Sequence, residues 1–181
     1  GRAEHSHHLL PLLEELLAEL HLSPDDLGAI AFARGPGPFT AGRIVVASAQ
    51  GLGLGLGIPL VSVSSLGAVA WASGRTRTAV ALTAGREEVY WGCFERREAG
   101  VAPLGEERVA APADLMPEEA TGGEPVWGVG DGWAERGDEL AAVLGTALAG
   151  REPGLEVTAE AVAALGAVEW AEGWTLAPGE A

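Results

Sequence analysis

The chain has 181 residues, 11 of them basic and 26 acidic, for a formal net charge of −15. Every basic residue is Arg, which excludes a phosphate-loop lysine, a Schiff-base lysine and a lysine general base. Acidity on this scale argues against a protein that grips nucleic acid or an anionic membrane by itself. With 48% hydrophobic but only 6% aromatic residues, the core is expected to be built largely from small aliphatic side chains. The single cysteine rules out an internal disulfide and fits a reducing, cytoplasmic compartment. No basic start followed by an apolar run and a small-residue cleavage site is visible. Length allows one or two domains.

The first residues, Gly1-Arg2-Ala3-Glu4, read like an internal stretch. Leu9, Leu10, Leu12, Leu13, Leu16, Leu17 and Leu20 recur at helical spacing and cover roughly 160° of a helix surface. Either that helix is deeply buried, or one face meets the core and its flank meets another chain. Pro11 fits only near the first turn. Ser23-Pro24-Asp25-Asp26 reads as an N-cap, a first-turn proline and a capping-box acid.

Ala29–Ala33 is a short buried strand, and Gly35-Pro36-Gly37-Pro38 forces a loop. A helix follows from Thr40 to about Leu54, its Ala, Ser and Gly face suited to close helix contact. Ile58–Ser62 is the next strand and Leu66–Ala72 the next helix. The uncharged run from Ile44 to Gly74 has the length of a membrane span, but its glycines, serines, Gln50 and Pro59 favour a buried helix, a turn and a buried strand.

Arg75-Thr76-Arg77-Thr78 reads as a domain boundary, dividing the chain into 1–74 and 75–181. Beyond it, Ala79–Leu82 and Val89–Phe94 predict a hairpin, and Val126–Val129 a buried strand. Leu140–Leu148 and Thr158–Ala167 predict short helices. Ala99–Val109 and Pro117–Pro125 read as solvated connections. The order is mixed α/β rather than a series of identical βαβ units.

Charge follows this division. Residues 1–26 carry net −5, residues 27–86 carry five Arg and no acid, and residues 87–181 carry net −15. The most motif-rich segment therefore offers no carboxylate for metal binding or acid–base work.

The glycine run Gly51–Gly57 fails the dinucleotide fingerprint, since position 56 is Leu56 and the run ends a helix rather than opening one. Gly128-Val129-Gly130 fails too, with Trp133 in the third position. His5 and His8 share a helix face, but too few further ligands stand near in sequence for a closed metal site. Cys93 sits in an alternating strand and reads as a small buried hydrophobe. Ser62, Ser64 and Ser65 lack the turn of a nucleophile elbow. The most specific feature is the loop Gly35, Pro36, Gly37, Phe39 and Thr40 with Arg43 a turn later. It is either an anion contact at a helix start or a rigid connection capped by Thr40.

That loop, Arg34 through Thr40 with Arg43-Ile44, closely resembles the Gly-Pro-Gly-Ser-Phe-Thr-Gly-x-Arg-Ile signature of the TsaB (YeaZ) family. These are bacterial proteins of tRNA threonylcarbamoyladenosine biosynthesis. His5 through Pro11 is similar to the family's His- and Leu-rich first helix. Ala49–Leu52, Pro59–Leu66 and the Glu88-Val89-Tyr90-Trp91 hairpin are similar to its later segments. Pro38, Ala41 and Thr83 stand where the family usually has Ser, Gly and Asp.

The resemblance implies an actin-like, ribonuclease-H-like (ASKHA) α/β fold of two lobes. Residues 1–74 would be the remainder of a first lobe lacking its N-terminal strands, and 75–181 the second lobe. It further implies a scaffold for the catalytic TsaD-like paralogue, whose His-x-x-x-His metal pair aligns with Ser65 and Val69 here. On this reading there is no catalytic residue, metal or cofactor of the chain's own. The partner surface comprises His5, His8, Leu9, Leu12, Leu13, Leu16, Ala47 and Gln50. A TsaE-like ATPase is met through the complex, tRNA only through the complex, and the chain forms a homodimer when alone, with no membrane contact. The competing expectation is a metal- or nucleotide-dependent enzyme of the actin-fold or glycoprotease type.

Overall fold

Strands β1 (Ile30–Gly35) and β2 (Leu60–Ser64) pair in parallel, with Ile30 opposite Leu60 and Ala33 opposite Val63. The computed structural model describes residues 4–116 and 121–181; the side chains of residues 4–8 and 39–41 lie outside that description. Helix α2 (Phe39–Leu56) connects these strands and packs on β1. A crossover of this kind is what a parallel pair requires.

The larger sheet holds β3 (Arg77–Thr83), β4 (Val89–Arg97), β5 (Gly100–Pro103), β7 (Val126–Val129) and β8 (Leu148–Glu152) in the order β5-β4-β3-β7-β8. The short β6 (Arg108–Ala110) pairs with the other half of the β4 edge that β5 occupies. The β3–β4 hairpin is antiparallel, with Ala79 opposite Cys93, whereas β3, β7 and β8 run parallel. Helix α4 (Gly132–Leu144) covers one face. It closes a core of Ala79, Ala81, Val89, Trp91, Cys93, Leu115, Val126, Trp133 and Leu140. The Trp133 indole N–H donates to the Ala79 carbonyl at 2.9 Å inside that core, so its polar atom is satisfied.

Helix α3 (Ser65–Ala72) lies between the two sheets. Ser65 through Ala70 are all buried, which is what a helix apolar on every side demands. Leu66 and Val69 meet Val80, Phe94 and Val129 of the large sheet, and Ala68 meets Val61 and Val63 of the small one. Fully burying Leu66 and Val69 contributes about 1.5–3 kcal/mol each. Helix α5 (Ala159–Ala171), capped by Thr158 accepting from Ala161 N, returns from the end of the chain to pack on β1, β2 and α3. The segment after it makes a single antiparallel bridge, Leu176 to Leu60.

Several expectations change. The stretch 99–109 is not only a connection, because it contains β5 and the start of β6. The expected helix Leu140–Leu148 starts earlier, at Gly132, and stops at Leu144, so that β8 begins at Leu148. The second strand starts at Leu60 rather than Ile58. Pro11 lies well inside α1 (Glu4–Glu19) rather than near its first turn, so the His7 carbonyl has no i+4 amide to accept from. The Ser23–Asp26 capping box is present, on a single 3-10 turn: Asp26 accepts from both Ser23 N (2.8 Å) and Ser23 Oγ (2.7 Å). Part of the expected connection 117–125, namely residues 117–120, lies outside the described residues.

Candidate functional site

The motif loop begins where β1 ends, at Gly35 with φ of 103°, a conformation that favours glycine. Gly35 and Pro36 are half-buried; Gly37 and Pro38 are exposed. Pro38 occupies the N-cap position of α2 and no side chain caps the helix there. Thr40 therefore lies inside the first turn and does not cap it, contrary to one of the two readings above. The side chains of Phe39 and Thr40 are outside the described residues. Arg43 stands exposed one turn into α2. The glycine run ends α2 as expected: Gly57 adopts φ of 67° and its N–H donates to the Gly53 carbonyl.

Helix α1 does not bury its leucines. Leu9 is 39% exposed and Leu10, Leu12, Leu16 and Leu20 are 52–59% exposed, while Leu13 is half-buried and only Leu17 is buried. The deeply buried alternative for this helix is thereby overturned. No described leucine of α1 joins the clusters that form the core. The side chains of His5 and His8, on the same helix, are outside the described residues.

Helix α2 has two faces. Ala49 and Gly53 are buried against Phe32 and Leu60 of the strands beneath. On the opposite side Ile44, Ala47, Gly51, Leu54 and Gly55 are exposed and follow helical spacing. Gln50 belongs to neither: its Nε2 donates to the Ala181 carbonyl at 2.7 Å. Of the residues expected at a partner surface, Leu9, Leu12, Leu16 and Ala47 are exposed and apolar, whereas Gln50 is engaged with the chain's last residue.

A cleft of about 820 Å³ opens at the carboxyl ends of β1 and β2. Arg34 and Ser64 stand there, and Glu107, from the segment joining β5 to β6, reaches across to both. Ser64 Oγ donates to the Glu107 carboxylate and accepts from Gly67 N at 3.1 Å, so it caps α3 and ties the two sheets at once. Arg34 Nη2 lies 3.5 Å from the same carboxylate. Sequence reading missed Glu107, because Gly105-Glu106-Glu107-Arg108 looks like a solvated charge run. It also missed Glu169 and Trp174 in the cleft wall. Ser62 and Ser64 line this cleft, but among the described residues no histidine does.

Ser65 and Val69 sit one turn apart on α3, 5% and 0% exposed, inside the packing between the sheets. Among the described residues no group of three or more His, Cys, Asp or Glu is placed to hold a metal ion. Cys93 is 2% exposed. Burial pushes its thiol up to about 12, with the positive charge of Arg108 opposing weakly. It is a packing residue, as the strand pattern predicts. Among the described residues no helix is long and apolar enough to cross a membrane.

Comparison with known proteins places this architecture. Residues 2–135 match the family model described as TsaD, tRNA N6-adenosine threonylcarbamoyltransferase. The tRNA threonylcarbamoyladenosine biosynthesis protein TsaB of Escherichia coli is 35% identical over 136 residues, covering 72% of this chain and 58% of that protein. The TsaB of Haemophilus influenzae is 32% identical over 141 residues, 72% of this chain and 59% of that protein. This chain thus spans less than two thirds of the length of these curated relatives. YeaZ from Pseudomonas aeruginosa superposes with a TM-score of 0.85 at 31% identity, over 97% of this chain and 82% of that one. A second Pseudomonas aeruginosa structure, of a protein with similarity to peptidase YEAZ, gives 0.88 at 30% identity, over 98% and 82%. The two-sheet α/β architecture is therefore the actin-like (ASKHA) fold, and the chain belongs to the TsaB (YeaZ) family.

Proposed function

We propose that this chain acts in tRNA threonylcarbamoyladenosine biosynthesis as a cytoplasmic, non-catalytic scaffold that binds and activates a TsaD-like catalytic subunit. The observation that carries the reading is the pair of apolar faces on α1 and α2 that the chain's own core does not use. Leu9, Leu12 and Leu16 on α1, and Ile44, Ala47 and Leu54 on α2, are exposed together with the open glycines Gly51 and Gly55. Exposed leucines in such number mark an interaction surface rather than a solvated one. Small residues beside them let a partner helix approach closely.

Catalysis would belong to the partner. The positions aligned with the paralogue's metal pair are Ser65 and Val69, and Val69 has no atom to ligate with. Binding of tRNA, and contact with a TsaE-like ATPase, would come through the assembled complex. The net charge of −15 disfavours an independent grip on tRNA. Alone, the same apolar faces would close on a second copy. The division into lobes 1–74 and 75–181, with α5 and Leu176 returning from the second to pack on the first, and the anion contact at Gly35–Arg43, belong to the same proposal.

The test is reconstitution. The full-length protein is expected to co-elute with the TsaD-like subunit, and to restore threonylcarbamoylation to a mixture lacking only this component. Failure in both assays refutes the scaffold reading. Tight stoichiometric metal or nucleotide with turnover by the isolated protein would establish the enzyme alternative instead.

A further inference from the structure

The cleft at the ends of β1 and β2 contains groups that the scaffold reading does not use. Among the described residues, none of those lining it comes from α1 or α2. Its floor is apolar, formed by Val63, Val101, Leu165 and Val168. Its charged groups are unevenly matched. Arg34 faces Glu107 at 3.5 Å and Arg97 faces Glu95 at 2.5 Å, so both guanidiniums already have a carboxylate. Glu169 and Glu172 line the same cleft, and among the described residues neither has an ion-pair partner within 4 Å. Burial raises the pKa of Glu169, the field of Arg34 opposes, and the neighbouring Glu172 raises it again. Beside them the indole of Trp174 is 70% exposed, on the turn where Trp174 N donates to the Glu169 carbonyl at 2.8 Å.

Two repelling carboxylates next to an exposed indole face are matched by an organic cation such as a guanidinium or ammonium group. It would pair with the carboxylates and lie against the ring. The volume, about 820 Å³, is far larger than one guanidinium or ammonium fills, and the apolar floor calls for apolar neighbours on the same ligand. An extended polypeptide supplies both, since successive side chains alternate between floor and wall. We infer that this cleft docks an extended segment of a partner protein, presenting an Arg or Lys side chain to Glu169, Glu172 and Trp174. The acidic charge of the whole chain steers such a segment towards it.

The test uses the full-length protein and a degenerate heptapeptide library with its central residue varied, read by anisotropy of a fluorescent label. Arg and Lys at the centre are expected to be preferred over citrulline and norleucine. The Glu169→Gln/Glu172→Gln double variant is expected to weaken the best peptide at least about tenfold, and Trp174→Ala to weaken it comparably. Glu172 and Trp174 are exposed and Glu169 is half-buried, so circular dichroism checks the fold, with Trp174→Phe as a milder companion. The proposal is overturned if no central residue is preferred, or if the double variant keeps the preference intact. It is also overturned if spermidine binds as tightly as the best peptide, which would make the cleft a small-polycation site. Because Glu169, Glu172 and Trp174 belong to neither α1 nor α2, association with the TsaD-like subunit is expected to survive all three variants, so this failure and that of the scaffold reading are distinguishable.

Discussion

Gly166 of α5 meets Ala31 of β1 so closely that a Cβ on the glycine would stand 2.4 Å from the alanine Cβ. This contact is where the helix from the end of the chain seats on the small sheet. Gly166→Ala is expected to cost about 1–3 kcal/mol by overpacking. The Ala31→Gly/Gly166→Ala pair should regain part of it, because the two methyls then no longer collide. Urea unfolding of the three proteins checks this; equal midpoints would show that α5 sits elsewhere.

On the scaffold reading, the leucines of α1 should separate binding from folding. Leu12 and Leu16 are 59% and 52% exposed, so replacing either by Glu should leave stability within about 0.5 kcal/mol. The same changes should abolish co-elution with the TsaD-like subunit, because a charge would be desolvated in the interface. Leu17 is 7% exposed, so Leu17→Glu should damage the fold as well as the association. Thermal melts beside gel filtration distinguish the two kinds of residue.

Glu169 sets a pH dependence whose sign is fixed by its surroundings. Its pKa in the folded protein is raised, chiefly by burial, so the folded state holds its proton more tightly than the unfolded chain. Its contribution to stability is therefore greatest at low pH and declines as pH rises through the carboxylate range. Glu169→Gln should melt higher than the parent at pH 7 to 8. The gap should close near pH 4, where both side chains are neutral. Melting curves across that range decide the matter, and a gap independent of pH would contradict the assignment.

Cys93 is expected to resist alkylation. Its thiol, pushed up to about 12 and 2% exposed, holds almost no thiolate near neutrality. Iodoacetamide at pH 8 should label it only after denaturation. Labelling of the folded protein at the rate of a free thiol would mean that the hairpin opens.

Much of the fold was legible because local chemistry and burial agree. The β3–β4 hairpin, β7 and α3 are apolar runs whose neighbours in space are also apolar, so pattern and packing point the same way. The elements that were missed are those where tertiary contacts overrule local signals. Gly132 and Gly137 weaken the helical pattern of α4, yet at Gly132 the backbone of β3 leaves no room for a larger residue, whereas at Gly137 only the movable Arg151 side chain stands close. A Cβ at Gly132 would stand 3.0 Å from the Ala81 backbone, and one at Gly137 2.7 Å from the Arg151 guanidinium. In β8, Leu148–Glu152 carries Gly and two charges and no β-branched residue, so it reads as loop until β7 pairs with it.

The site divides in the same way. The leucine stripe of α1 and the glycine stop of α2 are periodic features and were visible. Whether the stripe was buried or offered to a partner was not, since periodicity reports a face and not what covers it. Glu107 could not have been found, because nothing local connects it to Ser64, 43 residues earlier.

The all-round burial of α3 has a mechanical consequence. Eight residues form a wall common to both sheets, and the chain leaves that wall directly into β3 with only the short stretch from Ser73 to Thr76 between. No slack segment stands there to absorb a displacement. A displacement of the small sheet would therefore meet β3 and β4 by direct packing, through Leu66, Val69 and Phe94. Any movement of one sheet relative to the other would have to carry this short helix with it.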